Sequence, residues 1–560
     1  MKKVFGTITA LALTASLLAG CGGASGNSTG STAPAQGEAE STAAAEPQAA
    51  APAAVAAEDG LVRTAVLYDI STMDVAETSD NYLIPMNVFD RLFETRNVNG
   101  TAEVVKSLCE DYTVSEDGLT YDFTIKSGVV FSNGSELTAS DVKYTFERLL
   151  KINHENTDIA REVVGGEALA NGEADSLEGI SVKDDTHLTV TLEKPNAGFL
   201  AELSSAAMGI VDAETMEKVS GFGKEPADTI GSGPYIVTEW VANDHYTLVY
   251  NDKYWGAEPS VKKLIVSIVP DANTQNLMFQ NGELDLIDLQ NLDSAIVQSS
   301  YAEAYKDQIV STPKVGMTYL VLNNAHEYLK DVNVRKAIGM AINVDVLIDN
   351  LYSGNAVREN GIIPTGCWGH NDSLEGMKYD PAAAKELLAK SGYTDGQITF
   401  ELALDSSANS TIQLVYESII QSLNEIGIKA EVKSYDQSVW LDLRKSGEMD
   451  SFVARWGMDY NDPANIMATF FGGESQTKSR SINYPDTETM ARVAAASSIV
   501  DDAERMTEYQ NLEKKLIGED AAWIPLYTEL HQYCIGSRVA SFTPQWAGFS
   551  DFYASDVVLK

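Results

Sequence analysis

The amino-acid sequence predicts an α/β fold, in which strands and helices are interleaved along one chain. An alternating apolar run from Leu119 to Ile125 indicates a strand, and an amphipathic helical pattern follows at 139–149. Strand and helix patterns continue to alternate to the C-terminus, an order typical of α/β or α+β proteins with several lobes. At roughly 100–200 residues per domain, the length of 560 residues suggests about three domains.

The first elements of this pattern are a hairpin and a capped helix. Asp117-Gly118 is a turn signal that lies just before the alternating strand, so this region is expected to be a hairpin. Asp141 stands three residues after Thr138, which is the spacing of a capping box. We therefore expect the helix to begin at Thr138.

Later elements follow from the same two periodicities. A Gly-Ser-Gly-Pro turn precedes the second pair of strands. The predicted strands are 188–192, 236–240, 246–250 and 428–432, and the predicted helices are 379–393, 411–426 and 487–516.

The charge of the chain excludes one class of partner. Against 40 Lys and Arg there are 81 Asp and Glu, so the formal net charge is −41. A nucleic-acid binder needs a basic face to neutralise phosphates, and we therefore expect no nucleic-acid partner. Hydrophobic residues make up 44% of the chain, which is an ordinary value for a folded globular protein.

The N-terminus predicts export. Lys2 and Lys3 are followed by an uncharged apolar run over 4–18, which is the order of a secretion signal. The tetrapeptide Leu-Ala-Gly-Cys at 18–21 resembles the bacterial lipobox and implies a lipoprotein signal peptide at 1–20 with lipid on Cys21. An uncleaved membrane anchor is the alternative, but the run is shorter than the ~20 apolar residues that span a bilayer.

Residues 21–60 are expected to form a disordered tether. From Gly22 to Gly60 there is no aromatic residue and no Lys or Arg, only small and polar residues with a few acids. Such a segment buries too little apolar area to offset its ordering entropy. The predicted protein is therefore lipid-anchored on the outer face of a bacterial cell membrane, on the extracellular or periplasmic side.

The sequence has no positive sign of catalysis or of a metal centre. Cys109, Cys367 and Cys534 are too scattered for a zinc site, and buried free thiols are favoured over the single disulfide they would allow. There is no HExxH motif, no nucleophile elbow between strand and helix and no phosphate-cradling loop. We expect no catalytic residue, no cofactor and no metal. An exported hydrolase stays open because 81 acids always supply candidate carboxylate pairs, as does a surface interaction protein.

A set of motifs, found in one order along the chain, resembles family 5 of the solute-binding proteins, the extracellular oligopeptide and dipeptide receptors of ABC importers. The first is the segment from Ser115 to Val142, which holds the hairpin and the capping box. The others are 231–235 (GSGPY), 251–256 (NDKYWG), 281–285 (NGELD), 332–337 (VNVRKA), 379–381 (YDP) and 524–527 (IPLY).

The resemblance implies a periplasmic-binding-protein-like architecture of type II, similar to cluster C, with two lobes around a cleft and an inserted third domain. Lobe I would use 61–107, 226–308 and 527–560, the insert would be 108–225, and lobe II would be 309–526. Crossings of the chain near residues 309 and 526 would then be hinges.

The resemblance also implies ligand-binding residues. The segment 455–463 (RWGMDYNDP) is similar to the family segment in which an Asp after a Trp holds the α-ammonium of a bound peptide. This implies that role for Asp459 and ligand packing for Trp456; the alternative is that Asp459 caps the turn begun by Asp462. Other implied cleft residues are Tyr460, Asn461, Tyr319, Asn323 and Asn483, the last three of which suit a structural role slightly better.

The predicted function is therefore that of an extracellular substrate-binding lipoprotein and not of an enzyme. It would capture di- or oligopeptides in the interlobe cleft as a monomer and deliver them to the transmembrane subunits of an ABC permease with cytoplasmic ATPases. Backbone hydrogen bonds would let it accept many peptide sequences. An oligosaccharide, nickel chelate, haem or glutathione is the alternative ligand.

Overall fold

The computed structural model describes residues 58–78, 81–98, 101–154, 157–293, 296–547 and 551–560. The predicted signal peptide, the predicted lipidation site Cys21 and nearly all of the predicted tether lie outside the described residues.

Strands and helices alternate along the described chain, as the sequence predicts. The strands are β1 (Leu61–Val66), β2 (Phe93–Val98), β3 (Thr101–Lys106), β4 (Cys109–Val114), β5 (Thr120–Ile125), β6 (Ile180–Asp184), β7 (His187–Thr191), β8 (Tyr235–Val241), β9 (His245–Tyr250), β10 (Lys263–Ile268), β11 (Leu286–Asp288), β12 (Ile309–Pro313), β13 (Gly316–Leu322), β14 (Ala356–Arg358), β15 (Thr399–Asp405), β16 (Lys429–Tyr435), β17 (Ser451–Gly457), β18 (Trp523–Ile535), β19 (Val539–Ser541) and β20 (Val558–Leu559). The α-helices are α1 (Leu83–Val88), α2 (Ala139–Ile152), α3 (Asp158–Arg161), α4 (Gly166–Ala170), α5 (Phe199–Glu202), α6 (Ala213–Met216), α7 (Ala272–Gln280), α8 (Val332–Ala341), α9 (Val344–Tyr352), α10 (Pro381–Lys390), α11 (Ser410–Glu425), α12 (Gln437–Ser446), α13 (Pro463–Phe471), α14 (Glu474–Ser479), α15 (Thr487–Ala496) and α16 (Asp502–Glu513).

The predicted hairpin and capped helix are confirmed. Strands β4 and β5 pair antiparallel around the turn at Gly118, whose φ of 69° suits glycine. Helix α2 begins after Thr138, whose backbone N–H donates to Asp141 Oδ2 at 2.8 Å in a complete capping box.

One predicted helix is wrong. The pattern over 487–516 predicts a single helix, but the structure has α15 and α16 with a break at 497–501. Asp501 accepts a hydrogen bond from the N–H of Glu504 and so caps a new helix. The carbonyl of Ser497, in the break, accepts a hydrogen bond from the N–H of Ala197 at 2.9 Å. A tertiary contact and a local cap thus replace helical bonds.

The strands form two large mixed sheets and one antiparallel sheet. In the first, of order β1-β10-β9-β8, only β1 and β10 are parallel. The second has the order β11-β18-β13-β17-β15-β16, with β12 and β14 also paired to β18. The antiparallel sheet, of order β4-β5-β7-β6, lies entirely within the predicted insert. Two short ribbons, β2-β3 and β19-β20, complete the set of described sheets.

Strand β18 runs without interruption through the boundary predicted at 526. Its first half pairs with β13, and its second half pairs with β12 and β11. Pro525, which has no N–H to donate, sits where the register with β13 shifts between Thr318 and Tyr319. One continuous strand therefore pairs with strands of predicted lobe II and with β11 of predicted lobe I.

The buried apolar side chains form separate clusters. One fills the region of β4 to β7 and α2 around Phe123 and Phe146. Another packs α8, α9 and α11 against the large sheet around Leu320, and a third, around Trp523, lies beneath α13. The division into lobes and insert stays a prediction, and these clusters are the physical features on which such a division would rest.

Candidate functional site

A cavity of about 530 Å³ lies where several parts of the chain meet. It is lined by side chains from 82–95, 158–162, 202–207, 456–480 and 545–547, and by Asp551. These stretches belong to each of the three predicted domains. A cavity of this volume is large enough for a small organic ligand.

The turn after β17 brings Asp459 to this cavity. β17 ends at Gly457, and Met458 is buried and tied to Val315 by a backbone hydrogen bond of 3.0 Å. Asp462 then caps α13, accepting the N–H of Ala464 at 2.9 Å. Strand end and helix cap thus hold residues 459–461 from both sides.

Asp459 lines the cavity and stays accessible to solvent within it. Its Oδ2 accepts a hydrogen bond from Asn465 Nδ2 at 3.2 Å. Burial by the surrounding walls raises the pKa of the carboxyl, which the Asn465 amide and the charge of Arg480 partly oppose. The structure shows that Asp462 caps the turn, so Asp459 is not needed for that task.

Trp456 and Arg480 form the adjoining wall. The Trp456 indole N–H donates to Asn465 Oδ1 at 2.9 Å, so Asn465 links Trp456 to Asp459. The Arg480 guanidinium lies 5.1 Å from the ring centroids of both Trp456 and Phe470. In the described part of the chain Arg480 has no carboxylate within ion-pair distance. It therefore offers the cavity an uncommitted positive charge.

A further part of the lining is acidic. Glu162 and Glu202 both line the cavity, and Asn196 Nδ2 donates to one oxygen of each, at 2.7 and 2.9 Å. Tyr460, an uncharged phenol, also lines the cavity. Burial, followed by the charge of the partner Glu162, raises the pKa of Glu202 well above its ordinary value.

The last part of the chain closes the cavity. Trp546 is buried, and its indole N–H donates to the carbonyl of Thr95 at 3.1 Å. Asp551 Oδ2 accepts the N–H of Tyr82 at 3.1 Å. With Asp158, the carboxyls lining the cavity are those of Asp158, Glu162, Glu202, Asp459 and Asp551, against the single guanidinium of Arg480.

Asn461 lies outside the cavity lining. Its Nδ2 donates to the carbonyl of Ala102 at 2.7 Å, and its Oδ1 accepts the N–H of Trp368 at 3.3 Å. It therefore joins predicted lobe I to predicted lobe II.

Tyr319, Asn323 and Asn483 also lie away from the cavity. Tyr319 is buried against Trp523, with ring centroids 4.1 Å apart. Asn323 and Asn483 bond to each other at 3.0 Å and both bond to the carbonyl of Gly447. These contacts suit the structural role that is the alternative for these three residues. Their direct role in ligand binding stays a prediction, and their position does not support it.

The sequence motifs missed several lining residues. Arg480 follows an unremarkable Lys-Ser pair, and Glu202 lies on the four-residue helix α5. Neither shows a pattern that separates it from the other charged residues. Asn465 carries only the weak signal of standing one turn into a helix that follows Asp-Pro.

A second cavity, of about 430 Å³, has Arg455 and Glu529 in its wall. The Glu529 carboxylate is paired with Lys314 at 2.8 Å, and its pKa is lowered by Lys314 and Arg455 in spite of burial. None of the predicted ligand-binding residues lines this second cavity, so the 530 Å³ cavity is the candidate site.

Other site types have little support in the described residues. No group of three or more His, Cys, Asp and Glu side chains there has the arrangement of a metal site. Cys109, Cys367 and Cys534 are buried free thiols. No helix in the described ranges is long and apolar enough to cross a membrane.

Comparison with known proteins places these observations in a family. The model for "Bacterial extracellular solute-binding proteins, family 5 Middle" matches residues 103–478. Heme-binding protein A of Haemophilus influenzae is 27% identical over 486 residues, covering 84% of this chain and 87% of that protein. The dipeptide-binding protein of Escherichia coli is 29% identical over 411 residues, covering 70% of this chain and 74% of that protein.

Solved structures show the same fold. The periplasmic binding protein DppA from Helicobacter pylori, in complex with the peptide STSA, has a TM-score of 0.69 and 25% sequence identity, covering 89% of this chain and 98% of that one. The predicted periplasmic-binding-protein-like α/β fold is thereby confirmed.

Proposed function

The chain belongs to family 5 of the bacterial extracellular solute-binding proteins, and on that premise we propose that it captures peptides with a free amino terminus in the 530 Å³ cavity and delivers them to an ABC importer.

The observation that carries this proposal is the presence of both Asp459 and Arg480 in the lining of one cavity. Asp459 is a solvent-accessible carboxyl with one amide partner, and Arg480 is a guanidinium without an ion pair in the described chain. A carboxylate suits an α-ammonium, and a guanidinium suits a carboxylate or a row of peptide carbonyls. Trp456 and Trp546 offer apolar surface in the same cavity for the ligand's side chains.

The charge balance favours this ligand class over the alternatives. Among the described residues that line the cavity, five carry carboxyls and one carries a guanidinium, so the lining offers more sites for a cation than for an anion. Haem carries two propionates and glutathione has a net negative charge, so both would enter against this charge balance. An oligosaccharide would leave the carboxyls without a charged partner.

We propose that ligand binding closes the predicted lobes. Several hydrogen bonds already join predicted lobe II to the rest of the molecule, among them Asn461 to Ala102 and Ala197 to Ser497. A ligand that contacts Asp459 and a further part of the lining would add to these bonds and favour the closed state. The continuous strand β18 and the chain near 309 would carry the hinge motion.

A thermal-shift screen tests the proposed ligand class. Alanine di-, tri- and tetrapeptides with free amino termini are expected to raise the melting temperature, because a ligand that binds only the folded state stabilises it. The N-acetylated peptides, cello-oligosaccharides, haem and glutathione are the comparison set. Stabilisation by haem, glutathione or a sugar, with none by free-amino peptides, would contradict the proposal, and turnover of a peptide would support a hydrolase.

Lipid anchoring through Cys21 is proposed on the resemblance to the lipobox. Replacing Cys21 by Ser is expected to release the protein from the membrane fraction, because one thioether-linked lipid anchor supplies the apolar area that holds it there. Metabolic labelling with an alkyne fatty acid followed by fractionation measures this. Equal labelling and membrane retention of the Cys21→Ser protein would show that the anchor lies elsewhere.

A further inference from the structure

The lining of the same cavity holds two carboxyls around one amide. Asn196 Nδ2 donates to Glu162 Oε2 at 2.7 Å and to Glu202 Oε1 at 2.9 Å. The orientation of this amide is fixed, because Asn196 Oδ1 accepts the N–H of Gly198 at 2.9 Å and its carbonyl accepts the hydroxyl of Tyr121 at 2.8 Å. The two carboxyls are therefore held together by the fold.

Glu202 is left with an unused oxygen. The residue is 4% exposed and lines the cavity, yet its Oε2 has no hydrogen-bond partner among the described residues. The Tyr460 side chain acts on the same carboxyl and partly opposes the rise in its pKa. A buried oxygen of this kind costs free energy unless a donor reaches it.

The protein supplies no cation to this pair. Neither Glu162 nor Glu202 forms an ion pair in the described part of the chain. Arg505 does not line the cavity, and its guanidinium is paired with Asp462 at 2.5 Å and with Asp502 at 3.3 Å. The nearby groups that carry charge or titrate are acids or phenols: Asp158, Asp462, Tyr121 and Tyr460.

Burial and mutual repulsion favour retention of a proton by this pair when no cation is near. Burial is the largest cause of the raised pKa of both carboxyls. The charge of Glu162 raises the pKa of Glu202 further, and the charge of Asp158 raises the pKa of Glu162 further. Two adjacent carboxyls resist joint ionisation unless a positive group lies beside them. A guanidinium or ammonium would take the place of that proton.

We propose that Glu162 and Glu202 form a subsite for a cationic ligand side chain, so that this protein selects peptides that carry arginine or lysine. This inference rests on the proposed function, since it concerns a second contact in the same cavity.

The arrangement suits a side chain of a ligand whose amino terminus is at Asp459. Tyr460 follows Asp459 directly and contacts the Glu202 carboxyl, so a single turn of the chain links the two acidic sites. Both sites line one cavity of about 530 Å³. A guanidinium has several donors in a planar fork and so can reach the free Oε2 of Glu202 and an oxygen of Glu162 together.

The test compares ligands that differ in charge alone. The probes are alanine tripeptides with arginine at the first, second or third position, the same peptides with citrulline in its place, and agmatine as a guanidine that is not a peptide. Affinities are measured by calorimetry for the wild type, for Glu162→Gln with Glu202→Gln, and for Glu173→Gln. Glu173 is an exposed glutamate in the same predicted domain that does not line the cavity.

We expect the wild type to bind its best arginine peptide at least about tenfold more tightly than the matched citrulline peptide, which is the size of one charge-assisted contact. In the double variant this ratio is expected to fall to about twofold or less, while the affinity for the citrulline peptide stays the same and so reports intact folding. Glu173→Gln is expected to keep the wild-type ratio.

Equal affinities of the wild type for arginine and citrulline peptides would overturn the cationic subsite and leave the proposed function standing. A preference for arginine that persists in the double variant would also overturn it. If no peptide binds but agmatine binds in a manner that depends on Glu202, the subsite is supported and the proposed function fails. If neither class binds, both are overturned.

Discussion

Replacing Asp459 by Asn is expected to lower the affinity for free-amino peptides by about 100-fold or more, because the removal of one partner from a desolvated charge pair is costly. The change keeps the size of the side chain and its contact with Asn465, which lies 3.2 Å away. In the proposed closed state the ammonium of the ligand would then be desolvated with no full negative charge to receive it. Calorimetry with an alanine tripeptide without charged side chains measures the loss.

Two controls separate this effect from misfolding. Asp442→Asn changes an exposed carboxylate of α12, outside the cavity, and is expected to leave affinity unchanged. The melting temperature of Asp459→Asn without ligand is expected to match the wild type. An affinity for free-amino peptides equal to that of the wild type would remove Asp459 from its proposed role.

The pH dependence offers a second readout for Asp459. Because burial raises the pKa of this carboxyl, it takes up a proton at a higher pH than an exposed aspartate does. Only the ionised form attracts the ammonium, so wild-type affinity is expected to fall as the pH is lowered toward the raised pKa. Asp459→Asn is expected to lose this part of the pH dependence.

Replacing Arg505 by Ala is expected to destabilise the fold by about 3–5 kcal/mol, the cost of breaking a buried ion pair. The side chains of Arg505 and Asp462 are 5% and 4% exposed, and they meet at 2.5 Å. The guanidinium also lies 4.0 Å from the ring centroid of Trp368. Without it, Asp462 would have to stay charged in a buried place or take up a proton. Urea unfolding followed by circular dichroism measures the loss.

Arg492→Ala is the matched control, because Arg492 forms a more exposed ion pair with Glu508 in the same part of the chain. Its cost is expected to be about 1 kcal/mol or less. Adding Asp462→Asn to Arg505→Ala is expected to restore part of the stability, since the cap acceptor for α13 stays while the unpaired charge is removed. If Arg505→Ala lost no more free energy of unfolding than Arg492→Ala, the assignment of a buried ion pair would be contradicted.

Local sequence signals predicted elements well where one short-range rule decides the structure. The Asp117-Gly118 turn and the Thr138 capping box are of this kind, since each depends on residues at most four positions apart. Local signals did not predict the break after α15, because the hydrogen bond from Ala197 to Ser497 joins residues far apart in the sequence. Periodicity carries no information about such contacts.

The candidate site was reached from the sequence only in part. Asp459, Trp456 and Tyr460 lie side by side in one segment, and the family resemblance implies their roles; all three line the cavity. The same resemblance implied Asn461, whose amide instead joins two parts of the fold. Neighbouring residues of one motif thus differ in what they contact. Three of them line the cavity, whereas Asn461 joins two parts of the fold.

The sequence by itself determined the α/β class, the family and one acidic segment, since periodicity and motif order are written in the chain. Only the tertiary structure decided that Glu162 and Glu202 share one amide, that Arg480 has no ion pair with a described residue, and that both features lie in one cavity with Asp459. The reason is physical. The charge state and the ligand preference of a carboxyl depend on burial and on neighbours brought close by folding, and among 81 acids a sequence does not show which of them become neighbours.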